Sequence, residues 1–234
     1  MKQSQEKLNE IERVTLGHYN SSAESFWLST KDHDVSQNIN AFLSALNETE
    51  YKNIDGSERV DSDGESPDIE SSDIESAFDI LDFGCGPGRD LMTFKHKGHR
   101  PTGLDGSSAF CEMARQHSGC PVLHQQFSQL ELQSASFDGI FANASMFHIP
   151  SQELHRVLTQ CHQAMRKKGI LFISNPRGTT EGWQGDRYGH YMELEESQVS
   201  LEQAGFSVID HYYRPEGKPR NRQPWLAIIA RRIS

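Results

Sequence analysis

From Phe78 onward, short apolar runs alternate with stretches whose apolar residues recur every three or four positions. Short runs read as buried strands and periodic stretches as amphipathic helices. The pattern predicts strands at Phe78–Phe83, Pro101–Leu104, Pro121–His124, Phe137–Asn143, Ile170–Ser174, Phe206–Tyr212 and Trp225–Ala230. Between them it predicts helices at Arg89–Lys97, Ser107–His117, Gln152–Arg166 and Glu193–Ala204. The third helix carries Leu154, Val157, Leu158, Cys161 and Met165 on one face, and Gly169 is expected to terminate it. Residues 1–47 read as helical, with Ile39, Phe42, Leu43 and Leu46 at helical spacing and Asp34 or Ser36 as a cap. Strand–helix alternation at this spacing requires a parallel sheet covered by helices. The expected fold is therefore α/β: a doubly wound, mostly parallel seven-stranded sheet with helices on both faces and a terminal antiparallel strand pair.

Charge divides the chain further. The net charge is −10, yet residues 48–76 alone hold eleven acids against two bases. That stretch is Asp, Glu, Ser and Gly with few apolar residues, so it cannot bury enough surface to offset chain ordering and reads as a flexible acidic insert. The chain thus divides into an N-terminal helical segment (1–47), the insert (48–76) and a core (77–234). Outside the insert the charge is near neutral. The C-terminal part is locally basic, but no dense Lys/Arg stripe with interleaved aromatics appears, which disfavours a nucleic-acid substrate. Asp61–Glu65 offers only part of a calcium-loop ligand set, and Asp32-His33-Asp34 lacks further ligands, so no metal is expected. Four cysteines without a C-x-x-C pair suggest reduced thiols in a cytoplasmic protein. No apolar run approaches the roughly 20 residues of a membrane span, and the polar N-terminus gives no secretory signal.

Chemistry concentrates where the first core strand ends. Asp82 is followed by Gly84-Cys85-Gly86-Pro87-Gly88 and then a helix. Glycines permit positive φ and let backbone N–H groups approach a ligand, as in nucleotide sites. The spacing G-x-G-x-G departs from the dinucleotide fingerprint G-x-G-x-x-G. Asp105 ends the next strand, where an acid can accept from both hydroxyls of an adenosine ribose. It can equally cap the helix from Ser107, and the two roles are compatible.

Four segments then fall in register with one family. Ile80–Arg89 resembles the first motif of class I S-adenosylmethionine-dependent methyltransferases. Gly103-Leu104-Asp105-Gly106-Ser107 resembles their second, Phe137–Asn143 their fourth-strand motif, and Arg166–Ile173 the turn into their fifth strand. The resemblance implies S-adenosylmethionine as cofactor, in-line methyl transfer to a small-molecule acceptor, and specific roles. Asp82 and the backbone of Gly84, Cys85, Gly86 and Gly88 would hold the methionine end. Asp105 would bind the ribose, with Gly106 and Ser107 beside it. Gln126 and Phe127 would occupy the adenine position, where many relatives carry an acid that Gln126 replaces. Asn143 and Ala144 would face the methionine and the transferred methyl.

The resemblance also makes the N-terminal helices a lid, with Tyr19 closing over the cofactor or anchoring the first helix. His148 is the general-base candidate, since a protonated nucleophile needs a nearby base. The loop at about 175–192, rich in glycine, aromatics and charges, is poorly suited to a packed strand and reads as an adaptable substrate loop. Within it Arg177 or Arg187 would clamp a substrate carboxylate, or pair with Asp186 or Glu181 inside the loop, and Tyr188 would line the substrate. The oligomeric expectation is a monomer or homodimer. Two other functions compete: a nicotinamide-dependent oxidoreductase, and a non-catalytic cofactor-binding protein that recruits a partner through the acidic insert.

Overall fold

The computed structural model describes residues 4–54 and 77–233. Two helices lead: α1 (Gln5–Thr30) and α2 (Ser36–Ile54). Strands β1 (Asp79–Phe83), β2 (Arg100–Asp105), β3 (Val122–His124) and β4 (Phe137–Asn143) follow, separated by α3 (Arg89–His96) and α4 (Ser108–Ser118). After α5 (Ser151–Ala164) come β5 (Met165–Pro176), β6 (Glu181–Gln184), β7 (Arg187–His190), α6 (Leu194–Gln203), β8 (Phe206–Arg214) and β9 (Trp225–Arg232). Seven strands form one sheet in the order β3-β2-β1-β4-β5-β9-β8. The first five run parallel, and β9 is antiparallel to both β5 and β8. The order reverses between β1 and β4, which opens a crevice at their carboxyl ends where α/β sheets bind ligands.

Alternation along the strands sends residues to two cores. Leu81, Phe83, Ile140, Leu171 and Ile228 meet Leu154, Val157 and Leu158 of α5 and Leu201 of α6. Ile80, Phe141, Ile170, Phe172 and Ile229 meet Phe94 of α3 and Ile39, Phe42 and Leu46 of α2. The expected fold class is the observed one. Helix α2 packs on the sheet itself: Phe42 is fully buried against Phe94, Phe141 and Phe172. Gly139 makes this approach possible, because a Cβ there would lie 2.5 Å from the Phe42 ring.

Beyond strand ends that shift by one or two residues, three features differ from expectation. Helix α2 continues to Ile54, because no glycine or proline interrupts the chain before Gly56. The remainder of the expected acidic insert, residues 55–76, lies outside the described residues. The fifth helix ends at Ala164 rather than Arg166, well before Gly169. Met165 turns extended (φ −85°, ψ 150°), pairs with Phe137 and is fully buried. Lys168 at φ 63° then absorbs the register shift, while Arg166 pairs with Asp138 at 2.6 Å and Asp79 at 2.9 Å. The third difference is in the 175–192 segment, which holds a hairpin rather than a structureless loop. Gln184 pairs with Arg187 across the two-residue turn Gly185-Asp186, with Gly185 at φ 64° as two-residue hairpins require.

Phe42→Ala should lower the unfolding free energy by about 3–5 kcal/mol, the cost of truncating a fully buried phenylalanine. A urea titration followed by circular dichroism checks this, and a loss under about 1 kcal/mol would mean that α2 is only loosely attached to the sheet.

Candidate functional site

The crevice above β1 and β4 opens into a cavity of about 700 Å³. Its floor is the turn after β1. Gly84, Gly86 and Gly88 all have positive φ, at 77°, 52° and 95°. Gly84 also has no room for a side chain, since a Cβ would meet the Ser145 Cβ at 2.3 Å. The equivalent position at Gly86 faces Phe26 across 4.0 Å. Gly88 packs on Ala114 of α4 and is not on the cavity wall.

Asp105 closes the floor from the end of β2. Its Oδ2 accepts from the Gly86 N–H at 2.9 Å and its Oδ1 from the Ser107 N–H at 2.8 Å. Asp105 is 8% exposed, and burial pushes its pKa up to about 6 against those hydrogen bonds. Ser107 is fully buried: it caps α4 by accepting from Phe110 N–H and donates to the Asn20 side-chain oxygen at 2.7 Å. Asp82 lies behind the wall, 2% exposed, with no hydrogen-bond partner at Oδ2 among the described residues. Burial, then the neighbouring Asp90, raises its pKa well above the ordinary carboxylate value. The acids Asp82, Asp90 and Asp105 cluster under the glycine turn, where Arg89 pairs with Asp90 at 2.7 Å.

At the end of β4, Asn143 turns its amide into a buried polar chain. It donates to Asp90 at 3.1 Å and accepts from Asn38 at 2.9 Å, while Tyr212 donates to Asn38 at 2.9 Å. Ala144 follows at φ 61°, a left-handed conformation uncommon for a residue with a Cβ. Its N–H donates to Ser174 across to β5 at 2.7 Å. Both residues line the cavity. The side chain of Gln126 is exposed at the rim, and the Phe127 ring stacks on Phe83 at 4.6 Å and an interplanar angle of 7°.

Helix α1 roofs the cavity and is fastened along its length. Glu12 reaches Ser128, Thr15 accepts from Tyr188 N–H, and Tyr19 meets His148. Farther along, Asn20 takes Ser107, Trp27 stacks on His117, and the Thr30 carbonyl accepts from Arg89. Leu16 sits over Gly106, where a Cβ would come within 2.9 Å.

The titratable cluster under this roof has a defined proton arrangement. His148 Nδ1 lies 2.6 Å from the Tyr188 carbonyl, which can only accept, so Nδ1 carries the proton. His148 Nε2 is then the acceptor for the Tyr19 hydroxyl at 2.7 Å. Arg187 Nη1 donates to the same Tyr19 oxygen at 3.4 Å. Burial brings the His148 pKa down to about 4, opposed by the Tyr188 hydrogen bond and aided by Arg187 and His18. The imidazole is neutral at physiological pH.

Most residues singled out in the sequence meet on this wall: Tyr19, Gly84, Cys85, Gly86, Asp105, Gly106, Gln126, Phe127, Asn143, Ala144, His148 and Arg187. Two substrate-loop residues point elsewhere. Arg177 pairs with Glu193 at 3.0 Å and donates to the Arg220 and Gln223 carbonyls. Its partner lies beyond the segment, at the start of α6, rather than at Asp186 or Glu181. The Tyr188 ring packs on Trp183 and its hydroxyl donates to Glu181 at 3.1 Å, so only its backbone carbonyl serves the site. Glu12, Asn38, Asp90 and Arg89 join the site without having been singled out. Asp90 and Arg89 followed the glycine turn directly and were the most readable of these. Among the described residues, no group of three or more His, Cys, Asp or Glu could hold a metal ion.

Residues 80–169 match the family model described as a methyltransferase domain. Among curated proteins, the chain is 26% identical over 119 residues to a ubiquinone biosynthesis O-methyltransferase of Pasteurella multocida, covering 44% of this chain and 48% of that one. The same-named enzyme of Histophilus somni is 28% identical over 114 residues. The chain spans about half the length of the curated relatives it matches. Among solved structures, 1,6-didemethyltoxoflavin-N1-methyltransferase of Burkholderia thailandensis, with bound 1,6-didemethyltoxoflavin and S-adenosylhomocysteine, aligns over 100% of this chain and 94% of its own. The TM-score is 0.67 at 19% identity, a likeness of fold. A Mesorhizobium loti S-adenosylmethionine-dependent methyltransferase aligns with a TM-score of 0.57 at 18% identity, over 67% of this chain and 91% of that one.

The low His148 pKa has a sign that can be measured. A histidine that resists protonation when folded contributes stability that is present above about pH 6.5 and is lost as pH falls through about 4. His148→Gln should therefore flatten the fall in unfolding free energy over that window, by at most about 3 kcal/mol. Denaturant titrations of both proteins at several pH values check it; parallel pH profiles would contradict the neutral, buried assignment.

Proposed function

We propose that this chain, whose residues 80–169 match a methyltransferase domain, transfers a methyl group from S-adenosylmethionine to a small-molecule acceptor held beneath α1. The observation that carries this is the buried Asp105 carboxylate beside the positive-φ glycine turn, both on the wall of one cavity. Its volume of about 700 Å³ falls within the range of small-ligand sites.

The residues present fit the cofactor. Asp105 accepts from ribose hydroxyls, and the Gly84–Gly86 backbone borders the methionine end. Gln126 and Phe127 border the base. Asn143 acts through Asp90 and Asn38, holding the β4 end in shape, and Ala144 presents backbone to the reacting centre. When bound, S-adenosylmethionine supplies an electrophilic methyl on a sulfonium centre.

The protein then has to align a nucleophile, exclude water and dispose of one proton. Phe26, Trp27, Phe147 and Trp225 give the cavity aromatic walls, which suits a compact planar acceptor. The Tyr19 hydroxyl, which donates to the unprotonated His148 Nε2, lies on the same wall, so an acceptor's proton can pass through Tyr19 to His148, and Arg187 can stabilise an oxygen or ring nitrogen as it loses its proton. A base this weak suits an acceptor with an acidic O–H or N–H, such as a phenol, an enol or a ring nitrogen of a heterocycle. The O-methyltransferase names of the curated relatives and the N1-methyltransferase name of the full-length neighbour support that class. The nicotinamide reading loses support, since the glycine spacing and the matched domain both point away from it. Four buried, unpaired cysteines favour a cytoplasmic setting. Among the described residues no helix is long and apolar enough to cross a membrane.

Calorimetry with S-adenosylhomocysteine tests the cofactor assignment. Asp105→Ala should weaken binding by about 10- to 100-fold, the value of a charge-assisted hydrogen bond, in protein that remains folded. Unchanged affinity would refute the ribose role, and labelled cofactor incubated with a metabolite extract would identify the acceptor.

A further inference from the structure

The cavity wall that includes Asp105 also includes Leu8, Glu12, Gln126, Phe127 and Ser128. The register Asp105↔His124 sets the segment that follows β3, Gln126 to Ser128, next to the end of β2 that carries Asp105. A base attached to a ribose at Asp105 meets the ring of Phe127, held flat against Phe83, and the aliphatic side chain of Leu8. Adenine carries an exocyclic amino group there, a donor that needs an acceptor. The side chain of Gln126 is exposed at the rim, and a neutral amide is a weaker acceptor than a carboxylate.

Glu12 supplies a carboxylate from the roof. Its Oε1 accepts from the Ser128 N–H at 3.1 Å and its Oε2 from the Ser128 hydroxyl. Each carboxylate oxygen has a second lone pair, so the side chain is oriented by Ser128 without being saturated. Among the described residues no cation lies within 4 Å of it. The nearby Arg156 is committed to Glu153 at 2.7 Å and to the Phe127 carbonyl at 2.7 Å. A half-buried carboxylate, with no counter-ion among the described residues, thus stands on the cavity wall.

We propose that Glu12 accepts a hydrogen bond from the exocyclic amino group of the cofactor's adenine, so that the roof helix itself reads the base. This rests on the cofactor assignment made above. Glu12 lies seven residues before Tyr19, two turns along the same face of α1. Reading the base and covering the acceptor site are therefore tasks of one rigid element, and cofactor binding tightens the roof over His148.

The test uses the full chain with S-adenosylhomocysteine and S-inosylhomocysteine, which carries a carbonyl in place of the amino group. Wild type should prefer the adenine compound by about 10-fold or more in calorimetry. Glu12→Leu should bring that preference to within about 2-fold, and Glu12→Gln should fall between. Ser128→Ala, which keeps the carboxylate, should retain most of it. Hydrogen exchange should show protection of residues 8–19 on adding S-adenosylhomocysteine to wild type and markedly less in Glu12→Leu. If wild type binds and the leucine variant, folded by circular dichroism, keeps the full preference, the proposal is overturned while the cofactor assignment stands. If wild type binds neither compound, the cofactor assignment fails and takes this proposal with it.

Discussion

A buried carboxylate organises this molecule. Asp105 joins the end of β2 to the glycine turn through Gly86 and to the start of α4 through Ser107. The turn can accept that tie because its glycines adopt positive φ and because Gly84 and Cys85 donate to the Leu104 carbonyl next door. The hydrogen bonds do not fully compensate for the loss of water, which is why the carboxyl pKa rises to about 6. By linkage, the charged form costs stability at neutral pH, and the cost disappears as pH falls toward the unfolded value. A ligand bringing hydroxyl donors into the cavity relieves that cost, so an element that is expensive for folding is useful for binding.

Helix α1 turns this half-open floor into an enclosed site. Its attachments reach the turn at Ser128, the β6–β7 hairpin, the turn carrying His148, and the starts of α3 and α4. Beneath it the polar chain from Tyr212 through Asn38 and Asn143 to Asp90 locks α2, β4, β8 and α3 together. Buried polar groups with complete partners specify one arrangement, since breaking any link strands a desolvated neighbour. The roof is thereby registered against both ends of the cavity, and Tyr19 arrives at His148 with the phenol proton directed onto Nε2.

Strand and helix order, the terminal antiparallel pair and the floor residues were legible in the sequence, because they depend on local patterns. Alternation identified the strands, and the glycine turn and Asp105 declared themselves by spacing. What escaped notice depends on distance. Met165 reads as the next apolar position of a helix, and only its pairing with Phe137 makes it a strand. Segment 175–192 looks too polar to pack, yet Gly185 closes a hairpin that α1 buries on one side. Arg177 was indistinguishable from Arg187 until their surroundings separated them: one finds Glu193, the other Tyr19. Glu12 and Asn38 carried no signal at all, since a polar residue on an amphipathic helix normally faces water.

The central claim, that Asp105 is an incompletely satisfied acceptor for a ribose, is most directly tested by proton linkage. S-adenosylhomocysteine should be titrated calorimetrically near about pH 6 in two buffers of different ionisation enthalpy. Binding that donates hydroxyls to the charged carboxylate lowers its pKa, so protons should be released. Affinity should rise between about pH 5 and pH 7, and the release should vanish in Asp105→Asn. Binding to the wild type with no proton release, or with the same release in the asparagine variant, would contradict the account.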